Sequence, residues 1–401
     1  MTAISLFEPT RMIHDQRDAM PLERTPSPPV QRASTVLLSD SARFQGSDRP
    51  TYGRGGLATH DALRRALAEL EHAEAVQLYP SGLAAVTATI QSLVASGDEM
   101  LVVDSIYGPT RRFIEGTMRR FGVSARYFPP DASADDIAAL ISPATRLLVL
   151  ESPGSLTLDM QDVPAIAAAA RARGVRTMID NTFAAGVLFK PLDHGVDVSV
   201  QSLTKYVCGH SDVFMGMAAA RGECAALLAR NSVEAGWAVC ADDAYLALRG
   251  LRTLHARLAR HGESALHIAD WLRRQPEVRQ VLCPALPDAP GHRLWARDFT
   301  GTCGLVSFAL DGDATAVCAL LDALTLFGLG FSWGGFESLA IPCDSQLAQR
   351  RFAAGLSGPL VRLHAGLEHP DDLIRDLRNG LDAAAAVRSN ANQKEKRTVA
   401  G

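Results

Sequence analysis

The run VDVSVQSLTKYVCGHSD, residues 196–212, decides how the chain folds and where its chemistry sits. Its first five residues alternate valine with aspartate and serine, the period-two pattern of a strand, and the polar group Ser202, Thr204 and Lys205 follows at once. The lysine is conspicuous because the chain has only four, Lys190, Lys205, Lys394 and Lys396, and otherwise draws its positive charge from arginine. A guanidinium stays protonated in proteins, whereas a lysine amine can lose its proton and act as base or nucleophile. A lysine directly after a strand therefore marks a place for covalent or acid–base chemistry.

Upstream of this run, apolar strand candidates alternate with helical patterns. Strands are expected at 100–104, 123–128, 147–150 and 175–179, and helices at 61–75, 82–95, 111–121, 134–141 and 163–173. Strands separated by helices of this length form βαβ units, so the class is α/β with a mostly parallel sheet covered on both faces. Beyond residue 250 the texture changes to a long Arg- and Leu-rich helix at 253–274 and separate strand candidates such as 304–310, the pattern of a smaller α+β domain. The expected division is an arm at 1–55, an α/β domain at 56–250, an α+β domain at 251–388, and a polar, frayed tail at 389–401.

Composition excludes several classes of function. With 47% hydrophobic residues, 21% charged residues and a net charge of −4, the chain reads as a soluble globular protein without the basic stripe of a nucleic-acid binder. No apolar run reaches membrane-spanning length, so a cytoplasmic enzyme is expected. The seven cysteines lie scattered without a C-x-x-C pair, which argues for reduced thiols rather than a disulfide framework or zinc ribbon.

Ligands of open α/β sheets bind at the carboxyl ends of the strands. Asp180 follows Thr177-Met178-Ile179, Tyr107 follows the run ending at Val103, and Lys205 follows Val200. Taken alone, Asp180 fits a helix cap or loop acid equally well. Ser81 and Gly82 open a helix after Pro80, where free N–H groups and the helix dipole favour a phosphate, although serine there also fits a simple cap. A phosphate cradle, an acid, hydroxyls and an isolated lysine are together the parts that hold pyridoxal phosphate. No G-x-G-x-x-G follows a strand, which sets a dinucleotide-dependent dehydrogenase aside.

With these residues in place, the chain resembles the Cys/Met-metabolism family of pyridoxal-phosphate enzymes, and within it the bacterial cystathionine β-lyases. The segments that carry the resemblance are YGRGGLATH (52–60), YPSGLAAV (79–86), DSIYGPT (104–110), ESPGSLTLDMQDVPAI (151–166), MIDNTFAAGVLFKPLDHGVDVSVQSLTKYVCGHSD (178–212), DDAYLALRGLRTL (242–254), FSWGGFESL (331–339) and LVRLHAGLEHPDDLI (360–374). The resemblance implies the aspartate-aminotransferase-like architecture known as fold type I. It implies that Lys205 binds the cofactor covalently and later serves as acid and base, that Asp180 meets the pyridine nitrogen, and that Tyr107 stacks on the ring. Ser81, Gly82, Leu83, Ser202 and Thr204 would hold the phosphate. Tyr52, counted with Lys205 and Tyr107 as catalytic, and Arg54 would reach the cofactor of a neighbouring subunit, implying a homotetramer built as a dimer of dimers. Arg362 would clamp the substrate carboxylate, and Ser332, Trp333 and Tyr245 would line the substrate side.

The implied reaction is β-elimination on L-cystathionine or another cysteine S-conjugate. The E-S-P-G-S-L text and the S-W-G-G block favour it over γ-chemistry, while Phe183 and Phe336 stand where bacterial β-lyases often carry Trp and Tyr. A γ-eliminating or γ-replacing enzyme remains the alternative. A non-catalytic protein on the same scaffold is disfavoured by the intact set Lys205, Asp180, Tyr107 and Arg362.

Overall fold

The computed structural model describes residues 7–14, 25–44 and 50–399. Seven strands form the first sheet: β1 Ala75–Tyr79, β2 Glu99–Val103, β3 Ser124–Phe128, β4 Thr145–Glu151, β5 Arg176–Asp180, β6 Val198–Gln201 and β7 Gly216–Ala220, in the order β1-β7-β6-β5-β4-β2-β3. Only β7 runs against its neighbours; the others give the mostly parallel sheet expected. A second, five-stranded sheet is built from β8 Val278–Leu282, β9 Leu305–Leu310, β10 Gly328–Leu329, β11 Leu339–Pro342 and β12 Leu360–His364, in the order β10-β11-β12-β9-β8. It is largely antiparallel and packs its own apolar core against the helices Leu254–Leu272 and Ala314–Asp322.

The strand that precedes Lys205 shows why a parallel sheet forms here. Alternation places Val198 and Val200 on one face, and Ser199 and Gln201 on the other are buried as well. The Gln201 amide donates to the fully buried Glu71, so that part of the polar face is met inside the protein rather than by water. Strand β7, G-M-A-A-A, carries no β-branched residue, and its small side chains let a helix approach closely. A Cβ at Gly216 would stand 2.8 Å from Gly82 Cα.

Three expectations are corrected by the backbone. The helix expected at 61–75 runs instead from Ala58 to Glu71 and stops at His72, which adopts a left-handed conformation (φ 52°) and returns its N–H to Ala68, freeing Ala75 to start β1. The helix expected at 111–121 starts at Gly108, with Pro109 in its first turn, and passes into a π-turn at Ile114–Met118. The tail expected to fray from residue 389 continues the helix Pro370–Val399; Ala, Gln, Lys, Glu and Arg are strong helix formers and need no apolar face to propagate a helix already nucleated.

The described part of the arm is tied to its own chain. Glu8, on the helix Glu8–His14, receives Lys190 Nζ at 2.6 Å and pairs with His255 at 2.9 Å, while Met12 is buried. Lys190 also donates to the Leu70 and Gly186 carbonyls, so it is a strut. The two sheets are joined at the end of β2, where the buried Asp104 accepts from Arg111 (2.6 Å) and from the backbone N–H groups of Arg351 (2.9 Å) and Phe352 (2.8 Å). Next to it, Arg350 donates to the Ser155 carbonyl and the Thr157 hydroxyl, both at 2.7 Å.

Candidate active site

The carboxyl ends of the parallel strands make the floor of a cavity of about 620 Å³, and the second sheet makes its roof. From the floor come Ser81, Gly82 and Leu83 after β1, Tyr107 after β2, Asp180 at the end of β5, and Ser202, Thr204 and Lys205 after β6. From the roof come Ser332 and Trp333 of the β10–β11 loop and Arg362 of β12. Eleven of the expected residues thus meet around one space.

Lys205 donates from Nζ to Ser332 Oγ at 2.7 Å, and the amine lies 5.3 Å from the centre of the Trp333 ring. Burial lowers its pKa to about 8, helped by the nearby Arg362 charge and opposed by Asp180. A neutral amine is therefore accessible near neutral pH, as a base or nucleophile requires. Asp180 accepts from the Thr182 N–H at 3.0 Å and the Thr182 hydroxyl at 2.5 Å; burial raises its pKa, while Thr182 and Lys205 pull it down. Such a carboxylate is costly unless a positive group meets it.

Arg362 is 8% exposed and gives one hydrogen bond, from Nη2 to the Ser332 carbonyl at 3.1 Å; its buried Nε has no partner among the described residues. A buried guanidinium with free donors facing a cavity is a receptor for a planar anion. Tyr107 stands above the floor with its N–H on Glu151 Oε2 at 2.7 Å, and burial followed by Asp180 and Glu151 raises its phenol pKa.

Gly82 opens the helix Gly82–Leu93, capped by Ser81, whose hydroxyl accepts from the Ala84 N–H at 3.1 Å. A Cβ on Gly82 would collide with Ser202, 2.9 Å from its Cα and closer to its side chain. The cradle between the Ser202 hydroxyl and the Gly82 and Leu83 N–H groups thus has the donors and the bareness that a phosphate needs. Thr204 is already committed: its hydroxyl donates to the Met215 carbonyl and accepts from the Met215 N–H. Lysine, acid, free arginine and phosphate cradle together fit pyridoxal phosphate.

Tyr52 and Arg54 do not reach this cavity within the chain. They line a separate hollow of about 570 Å³ with His60, Arg64 and Trp237, where Tyr52 is exposed and Arg54 donates to the Val233 carbonyl at 3.0 Å. Tyr245, expected on the substrate side, is also off the cavity of its own chain. It sits half-buried on the helix Ala241–Leu251, whose Ala244, Ala247, Leu248 and Leu251 face the core, and it does not line the cavity.

Glu151 was missed. It ends β4 in register with Asp180 and lines the same cavity; burial, with Asp180 beside it, holds its carboxyl well above the usual range. The strand-end rule that singled out Asp180 applies equally to Glu151 after Leu147–Leu150. His364, behind the roof, had no such signal, because its place depends on the β12 pairing.

Comparison with known proteins agrees with this geometry. Residues 9–382 match the family described as Cys/Met metabolism PLP-dependent enzyme. The chain is 43% identical to cystathionine beta-lyase of Bordetella avium over 89% of its own length and 92% of that protein's, and 42% identical to the Escherichia coli K12 cystathionine beta-lyase over 88% and 92%. Among solved structures, cystathionine gamma synthase from Xanthomonas oryzae pv. oryzae, in complex with aminoacrylate and cysteine, superposes with a TM-score of 0.89 at 34% identity, covering 96% of this chain and 100% of that one. The chain belongs to the Cys/Met-metabolism family of pyridoxal-phosphate-dependent enzymes.

Proposed function

We propose that the chain is a carbon–sulfur lyase that eliminates the β-substituent of L-cystathionine and, with water hydrolysing the remaining three-carbon fragment, gives homocysteine, pyruvate and ammonia, and that it accepts other cysteine S-conjugates. The observation that carries this reading is the buried Arg362, with free donors, on the same cavity as a Lys205 amine of lowered pKa. Similarity to several cystathionine beta-lyases supports the choice of Cβ.

Pyridoxal phosphate, when bound, supplies the electron sink that makes the Cα proton acidic. Arg362 binds the substrate α-carboxylate and so orients Cα toward Lys205. Lys205 takes the Cα proton as a neutral amine and returns a proton to the departing sulfur. Asp180 would pair with the cofactor's ring nitrogen, Tyr107 would cover the ring, and Ser81, Gly82, Leu83 and Ser202 would hold the phosphate. Thr204 joins them only by giving up its bond to Met215. Ser332 and Trp333 form the substrate wall beside the lysine. Tyr52 and Arg54, remote from their own cavity, serve the site of a neighbouring subunit, so the working unit is at least a dimer with shared sites, which the family resemblance extends to a homotetramer. We place it in the cytoplasm; among the described residues no helix is long and apolar enough to cross a membrane.

Similarity to a cystathionine gamma-lyase of Dictyostelium discoideum, 35% identical over 87% of this chain, keeps one alternative at Cγ. Incubation with L-cystathionine and pyridoxal phosphate, followed by mass spectrometry of the products, separates the two. Pyruvate with homocysteine supports β-elimination, 2-oxobutyrate with cysteine moves the assignment to Cγ, and neither pair overturns cystathionine as substrate.

A further inference from the structure

The turn Ser332-Trp333-Gly334 is held in a conformation the chain does not adopt by itself. Ser332 is a non-glycine residue at φ 86°, and Gly334 is also at φ 86°, so close to the lysine that a Cβ there would stand 2.9 Å from the Lys205 carbonyl carbon and the Tyr206 nitrogen. A residue in this region costs about 1–3 kcal/mol and persists only where its surroundings enforce it. The turn serves two functional groups: Ser332 Oγ receives Lys205 Nζ at 2.7 Å, and the Ser332 carbonyl receives Arg362 Nη2 at 3.1 Å.

The turn is bonded from behind by His364. It follows Arg362 by two residues on β12, so both side chains project from the same face of the strand. Its Nε2 lies 3.0 Å from the Gly334 nitrogen and 3.3 Å from the Gly335 carbonyl; the shorter contact, in which Nε2 accepts the Gly334 N–H, goes with the ring proton on Nδ1. The ring is 1% exposed and packed in an aromatic cluster, 5.1 Å from His261, itself fully buried, and 6.0 Å from Tyr206, the residue after the lysine. Tyr206 in turn lies 5.3 Å from Trp333 and accepts the Gly304 N–H at 2.8 Å.

A histidine is an expensive choice at this place. His364 Nδ1 and His261 Nε2 are both buried without hydrogen-bond partners among the described residues. The His261 Nδ1 contact with the Ala365 carbonyl, 2.8 Å, leaves its Nε2 a bare acceptor. A phenylalanine would fill the volume without stranding polar atoms, so the acceptor at Nε2 is what the position supplies. Burial, with His261, Arg362 and Lys205 alongside, holds the His364 pKa well below its ordinary value. The ring therefore stays an acceptor throughout the neutral range.

We propose that His364 is a positioning residue that couples Arg362 to Lys205: by accepting the Gly334 N–H it holds the 332–334 turn that offers the Ser332 hydroxyl to the lysine and the Ser332 carbonyl to the arginine. This deepens the lyase reading and rests on it for the roles of Lys205 and Arg362. The anchor itself is a matter of structure and can be read without turnover.

The test compares wild-type holoenzyme with H364F and H364Q by hydrogen exchange of peptides spanning 331–336, and by KM and kcat for L-cystathionine. Loss of the acceptor is expected to speed exchange at Gly334 about tenfold and to raise KM by a similar factor, with cofactor content unchanged. Glutamine, whose amide oxygen reaches the place of Nε2, restores both. If H364F does not fold, H364N, too short to reach Gly334, takes its place under the same criteria. Wild-type exchange and KM in H364F (or in H364N where it replaces H364F), or a glutamine variant no better than it, overturns the proposal. Absence of turnover on any sulfur amino acid would strike the lyase reading and leave the exchange rates to decide on the anchor.

Discussion

In the cofactor-free protein Lys205 is expected to titrate near pH 8 instead of 10.5, because burial and the Arg362 charge outweigh the attraction of Asp180. At pH 8 about half of the amine is then neutral, against roughly 0.3% for an ordinary lysine, a difference of about two orders of magnitude in reactive base. The assay is the pH dependence of labelling by a small amine-directed electrophile, read by peptide mapping, which is clean in a chain with four lysines. Removing the like charge with Arg362→Met raises the midpoint, and removing the counter-charge with Asp180→Asn lowers it. The same shift has a stability consequence. Below pH 8 both folded and unfolded chains carry the proton and the burial penalty is complete. Between 8 and 10.5 the unfolded chain binds more protons, so stability rises with pH through that window, by up to ~3 kcal/mol. A labelling midpoint near 10.5, or one that ignores Arg362→Met, refutes the reasoning.

Arg362→Lys keeps the charge but loses the planar fork, so kcat/KM should fall about tenfold or more while the protein retains its cofactor, checked by steady-state kinetics and absorbance. Gly82→Ala drives a methyl into Ser202; it should destabilise the fold by about 1–3 kcal/mol and weaken cofactor binding, measured by urea denaturation and by titrating pyridoxal phosphate into apo-protein. Glu71 is fully buried with its pKa raised by desolvation, so the folded chain holds its proton where the unfolded chain has lost it, and stability falls as pH rises above 4.5. Glu71→Gln removes that loss: its urea midpoint relative to wild type should improve between pH 4.5 and 7.5, and a constant difference would contradict the assignment.

The parallel half of the fold was legible because its strands are apolar runs followed by polar residues, and that same punctuation named Asp180 and Lys205. It failed where side chains are small. Gly216–Ala220 has almost no β-propensity and is a strand only because β1 and β6 flank it and the Ser81–Gly82 turn needs a low surface beneath it. The roof was legible only through resemblance, since Ser332 and Trp333 lie about thirty residues from Arg362 and are brought together by the pairing of β11 and β12, which no local pattern encodes. Tyr245 lies off its own chain's cavity for a related reason: the local text fixes a helix but not which of its faces meets the cavity, and the core claimed the neighbouring positions.

The Asp104 knot gives the cavity a tempo. Opening the roof from the floor would strand a carboxylate that is 1% exposed and two backbone N–H groups at once, a cost that suppresses rigid-body gaping. What is free to move at the cavity is the pair of exposed side chains Phe214 and Phe331 in its lining, whose rotations take picoseconds to nanoseconds rather than the microseconds to milliseconds of a hinge. Turnover should accordingly be indifferent to added viscosity until diffusion of the amino acid itself becomes limiting.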